Sequence, residues 1–234
     1  MLPLLALLAL AAQAGAQQPP QPLFEIVSRR SIFPASFVPV TPAAKQVAPL
    51  ALVVEAGTGW EAPGLLEKEL GKASAIFARC GVTLGETEVV SARWSKEGLR
   101  LLNVADPYKA PAEASVMGEP LIPSRRPVGF FFAKGSVPST AKAYNASSVN
   151  VFKQKFPEAA GMLDTFWITY DEGHRPPKPD TAESYSMIAH ELTHILGDVG
   201  HTREHPNLMT DDESAGAKSG DLNDAQCAAV RQLH

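Results

Sequence analysis

Residues 190–201 read HELTHILGDVGH, and no other stretch limits the possible folds of this chain as tightly. His190 and His194 stand four residues apart. On an α-helix that spacing puts both imidazoles on one face, roughly 6 Å apart along the axis. Two imidazoles so placed can hold one Zn²⁺ from the same side. Glu191 follows the first histidine, near such a metal without having to bind it, which suits a general base for a water molecule. Gly197 comes one turn later; glycine takes positive φ readily, so it is expected to end the helix and turn the chain back. His201 lies just past that turn as a third nitrogen donor, and Asn207, Leu208 and Met209 follow.

This stretch resembles the metzincin zinc metallopeptidases, whose signature is HExxHxxGxxH followed by a methionine in a tight turn beneath the metal. His190, Glu191, His194 and Gly197 match position by position, and Met209 matches the turn methionine. The family's third histidine falls at position 200, where this chain has Gly200; the nearest histidine is His201, one residue later. Either the loop bulges by one residue, which Gly200 permits, or another side chain completes the ligand set. His201 ranks first, His205 and Asp198 follow, and Glu213 stands near the spacing at which thermolysin-like enzymes place a glutamate ligand. The resemblance implies a metzincin-like fold, Zn²⁺ as cofactor and Glu191 as catalytic base. It also implies Met209 as an apolar floor under the ligands and a peptide or protein as substrate. The displaced third histidine motivates an alternative, a secreted binding protein with a structural or degenerate zinc site. Tyr170 and Tyr185 are read as packing first and as oxyanion helpers second, and His174 and His234 as solvated.

A chain of 234 residues, 45% hydrophobic, suits one domain with a substantial core. Its net charge is −4 with Lys and Arg scattered, which gives no electrostatic case for nucleic acid or an anionic membrane surface. Met1–Ala12 is apolar but too short for a membrane span, and Ala14-Gly15-Ala16 then offers a signal-peptidase pattern. Residues 1–16 are therefore expected to be a signal peptide, and the mature protein to be a secreted or periplasmic monomer outside the membrane. In an exported protein Cys80 and Cys227 are expected to pair, tying the end of an early helix to the C-terminal helix.

Residues 17–45 read as a Pro-rich extended lead-in or short pro-segment, and 46–234 as a single domain. Residues 46–56 form a buried strand that Pro49 places at an edge or starts late. Leu65, Leu66, Leu70, Ala73, Ile76 and Phe77 have helical spacing, with Gly81 as the stop. The extended stretch 82–94 then favours a parallel strand pair with that helix on one face. Leu99–Val104 is a short strand or helix, 108–123 a loop, 127–133 a strand whose Phe130–Phe132 triplet packs in the core. Residues 140–152 read as an edge strand with a loop, where an extended substrate would add as a further strand. Asn145-Ala146-Ser147 fits a glycosylation acceptor, and 163–170 is another strand. Asp180 and Glu183 form a capping pattern for the metal-site helix, and Asp221 and Asp224 cap a closing helix over 222–233. The expected class is α/β or α+β: a twisted, mostly parallel sheet of four or five strands, two main helices including the zinc helix, and a small C-terminal segment ending in a helix.

Overall fold

Apolar runs without strict alternation need cover on both faces, and this chain supplies it with helices on each side of one sheet. The structure, a computed structural model, describes residues 21–33, 45–46, 50–103, 127–133, 141–169, 185–211 and 217–232. Six strands lie in the spatial order β1 (Phe24–Ile32), β5 (Thr87–Trp94), β3 (Leu50–Glu55), β6 (Val128–Phe131), β8 (Thr165–Ile168), β7 (Ala141–Tyr144). The four inner strands run parallel, and β1 and β7 close the two edges antiparallel. A separate parallel pair joins β2 (Lys45–Gln46) to β4 (Val82–Thr83). The helices are α1 (Leu65–Arg79), α2 (Lys96–Asn103), α3 (Ala146–Lys153), α4 (Met187–Gly197) and α5 (Asp224–Gln232). Among the described residues no helix is long and apolar enough to cross a membrane.

Side chains alternate across the sheet. Leu50, Leu52, Val54, Phe131, Phe166 and Ile168 join one core cluster with α1, α4 and Val230 of α5. Ala51, Val53, Phe130 and Trp167 face the other way, with Leu102 of α2 and Val149 of α3. The aromatic triplet is divided between these layers. Phe130 stacks on Trp167 with ring centroids 4.0 Å apart, while Phe131 meets Phe166 edge-on at 5.8 Å.

The mixed α/β class and the mostly parallel sheet agree with the sequence reading; the strand count does not, since six strands replace four or five. The addition is β1, drawn from the lead-in, so the sheet begins well before residue 46. Its outward side is solvated, its register shifts between Ile26 and Ser28, and Val27 is 47% exposed, so no apolar alternation marks it as a strand. Arg29–Glu88 and Arg93–Glu25 pair across its ladder with β5.

Other expectations are corrected locally. After Pro49 the strand does start late, at Leu50, but it lies inside the sheet rather than at an edge. Residues 96–103 are helical. The edge strand β7 is followed by helix α3, not a loop. The cap of α4 is Ser186, whose hydroxyl accepts the Ala189 N–H at 3.2 Å; Asp180 and Glu183 lie outside the described residues, as do Val104, 108–123 and 1–16. At α5 the cap is reciprocal, Asn223 Oδ1 accepting Gln226 N–H and Gln226 Oε1 accepting Asn223 N–H, both at 2.9 Å. Asp221 is instead paired with Arg79. Cys80 and Cys227 are disulfide-bonded, with their Cα atoms 4.9 Å apart, and so join the end of α1 to α5 as expected.

Gly197 does not turn the chain. It is the last residue of α4, and the left-handed position belongs to Asp198, at φ 48°. Gly197 is small for a different reason: a Cβ there would stand 2.7 Å from Val199 Cγ2 and 3.3 Å from the backbone N of Val230 in α5. Gly197→Ala should therefore cost about 1–3 kcal/mol through overpacking. The readout is the urea midpoint, and an unchanged midpoint would show that α5 has room to move away.

Candidate metal centre

Helix α4 is apolar on nearly every side, with Ile188, Leu192, Ile195 and Leu196 buried against α1, the sheet and α5. Burial of such side chains contributes about 1.5–3 kcal/mol each and holds the helix rigidly in the molecule. His190 and His194 project from this fixed support, and the chain beyond it brings His201 back toward them. The ligating nitrogens of the three histidines all lie within 4.8 Å of one another, and among the described residues they are the one such cluster.

Backbone carbonyls orient two of the rings. His190 Nδ1 lies 2.7 Å from the Leu208 carbonyl oxygen, and His194 Nδ1 lies 2.6 Å from that of Val199. A carbonyl only accepts, so each Nδ1 carries the hydrogen and each neutral ring keeps a lone pair on Nε2. His190 Nε2 and His201 Nε2 are 3.2 Å apart. Nitrogen ligands of a tetrahedral zinc, at bonds of about 2.0–2.1 Å, stand roughly 3.3 Å from each other. A donor set of three imidazoles, two with the opposite nitrogen held by a carbonyl, fits a borderline-soft divalent ion.

The electrostatics point the same way. Burial, helped by the charge of His194, drives the His190 pKa down to about 3, against the opposing pull of the Leu208 carbonyl. Burial also lowers that of His194. Both rings are thus kept neutral, the form that ligates metal. Glu191 is only 3% exposed; burial pushes its carboxyl up to about 8, and the Lys218 ammonium pulls in the opposite direction.

Asn207 is the residue whose role the sequence reading missed. It is buried, and its side-chain Oδ1 accepts the Met209 N–H at 2.8 Å while Nδ2 donates to Gln226 Oε1 at 3.0 Å. Its backbone N–H donates to Ala217 O, and its carbonyl accepts from Ser219 N–H. This side chain builds the turn that aims the Leu208 carbonyl at His190 and buries Met209 completely. An asparagine whose side chain accepts from the N–H two residues on is an Asx turn, and Asn-x-Met was the available signal.

Of the remaining candidates, His205 is exposed and outside the cluster. The carboxylate of Asp198 is bound to Ser147. The Tyr185 ring sits 6.3 Å from that of His190, with its hydroxyl 3.5 Å from Met187 Sδ. Glu213, Tyr170, His174 and His234 lie outside the described residues. In the turn that leads to His201 the left-handed residue is Asp198, and Gly200 has no positive φ.

No family model matches the chain, and no curated protein does. Asn207→Ala should leave the Met209 N–H and the Gln226 amide short of partners, at a cost of about 1–3 kcal/mol for each buried group left unsatisfied. Chemical denaturation measures it, and a loss below half a kcal/mol, roughly the noise of a surface substitution, would deny Asn207 its central place.

Proposed function

We propose that the chain is an exported, zinc-dependent endopeptidase of metzincin type, with His190, His194 and His201 as ligands through Nε2 and Glu191 as general base. The observation that carries this reading is the convergence of three imidazoles, two of them held by carbonyls through Nδ1 so that each keeps its lone pair on Nε2. When bound, the ion supplies Lewis acidity toward a water molecule and the scissile carbonyl. Glu191 takes the proton from the attacking water and passes it to the leaving amine. Its burial raises the basicity of the carboxylate and excludes competing solvent from the transfer. Met209 stays in the core beneath the histidines and binds nothing. An extended peptide adds along the outer edge of β7, whose inner edge is paired with β8.

One substitution tests the ligand set and a second divides this reading from that of a binding protein with a structural zinc. His201→Ala should lose most of its zinc on dialysis, as measured by metal analysis. Glu191→Gln should keep its zinc yet lose cleavage of a casein or peptide substrate by about 10²–10⁴-fold, the range for a removed general base. Cleavage that survives Glu191→Gln, or that ignores a chelator in the native protein, would sink the proposal.

A further inference from the structure

We propose that Asp198 is a positioning residue of the metal centre: by gripping Ser147 at the head of α3, its carboxylate holds the 198–201 turn so that His194 and His201 face His190. This inference rests on the reading of the three histidines as metal ligands.

Asp198 occupies the left-handed region, at φ 48° and ψ 35°, directly after α4. A non-glycine residue there is uncommon and costs on the order of 1 kcal/mol. Glycine would relieve that strain, so what the position gains from aspartate must lie in the side chain. Both carboxylate oxygens are used. Oδ1 accepts the Ser147 backbone N–H at 3.2 Å, and Oδ2 accepts the Ser147 hydroxyl. The N–H groups of a helix's first turn have no partner within the helix, and a carboxylate is favoured at that end.

The consequence falls on the histidines at either side of Asp198. The next residue, Val199, presents the carbonyl that orients His194 at 2.6 Å. Beyond it, His201 reaches to 3.2 Å from His190. The carboxylate thus sits at the pivot between the helix that carries two histidines and the loop that carries the third. Its anchor, α3, continues directly from β7, so the pivot is referenced to the edge of the sheet. The left-handed step at Asp198 thus lies in the turn that returns the chain to His190 and His194 with His201, and Ser147 keeps that step in place.

Asp198→Gly removes the carboxylate while keeping a residue that adopts the same φ, and Ser147→Ala removes the hydroxyl partner from an exposed position. Zinc affinity is read by competition with a fluorescent chelator, and the ring tautomers in the zinc-free protein by long-range ¹⁵N NMR. Groups that orient a ligand directly change affinity by about 10–100-fold, and Asp198 acts one step further away. The expected loss is therefore about three- to tenfold in each variant, no larger in the double variant than in the worse single one. In zinc-free Asp198→Gly, His194 should change from a pure Nδ1–H ring to a mixture of tautomers, and Asp198→Asn, which tolerates the left-handed region and keeps an acceptor, should restore most of the wild-type pattern. Unchanged affinity in both folded variants would overturn the proposal. A loss in Asp198→Gly that Asp198→Asn does not restore, with Ser147→Ala unchanged, would overturn it too, because the carboxylate would then be acting at the metal and not through α3. Should Asp198→Gly fail to fold, Ser147→Ala alone decides. If the native protein takes up no zinc at all, the metal reading falls, and the tautomer of His194 alone then decides for or against Asp198.

Discussion

Two hydrogen bonds, from the Nδ1 atoms of His190 and His194 to the Leu208 and Val199 carbonyls, give the whole arrangement its chemical meaning. A free imidazole interconverts its tautomers and rotates. Held by a carbonyl, it has one tautomer, one ring orientation and a lone pair of known direction. Without those contacts the same residues would be two buried rings on a helix, with no reason to act together. With them, each ring's remaining nitrogen is an acceptor, and the approach of His201 to 3.2 Å places a further nitrogen beside them.

Neither carbonyl belongs to α4, so the bonds require the loops after the helix to return to it accurately. Several devices serve that return. Asn207 fixes the Leu208 carbonyl from one side through an Asx turn and reaches Gln226 in α5. Helix α5 lies close on Gly197, where a Cβ would stand 3.2 Å from Val230 Cγ2, and the Cys80–Cys227 disulfide ties its start to α1. Because α1 and α4 share one core cluster with the sheet, the frame of α5 is the same frame that holds the histidine helix. A cross-link that closes so long a loop restricts the unfolded chain as well, so the same bond favours the folded arrangement.

The parts legible in the sequence were those written in local periodicity or in paired chemistry. The α1 helix, the β3–α1–β5 unit, the Phe130–Phe132 strand and the cysteine pair all have strong local signals, and each appears where it was expected. Edge elements were not legible. β1 meets solvent on its outer side, so the burial that writes an alternating pattern is absent. Helix α3 was hidden for a related reason, since its anchoring contact comes from Asp198, 51 residues away. At the site, the histidines and glutamate were visible as a motif. The residues that orient them were not, because a carbonyl contact leaves no mark on residue type and Asn207 acts across 19 residues to Gln226. Gly197 shows the opposite failure: the residue was marked out, but for backbone freedom, when its importance is the space it leaves for Val199 and Val230.

Burial at this site has a cost that the fold alone does not offset. Glu191 is almost fully enclosed, and enclosure pushes its carboxyl up to about 8, so in the bare protein at neutral pH the protonated form is favoured. On the proposed metal reading, a divalent cation near the carboxylate would reverse the balance, because a nearby double charge favours the ionised form far more than the single ammonium of Lys218 does. The same cation would take the place of the hydrogen bond that His201 Nε2 can donate to His190 Nε2 across 3.2 Å. On that reading ligand set and base would be mutually dependent. The environment that would make Glu191 a strong base once ionised is the one that disfavours its ionising alone, and the ion that would supply Lewis acidity would also free the carboxylate to accept a proton.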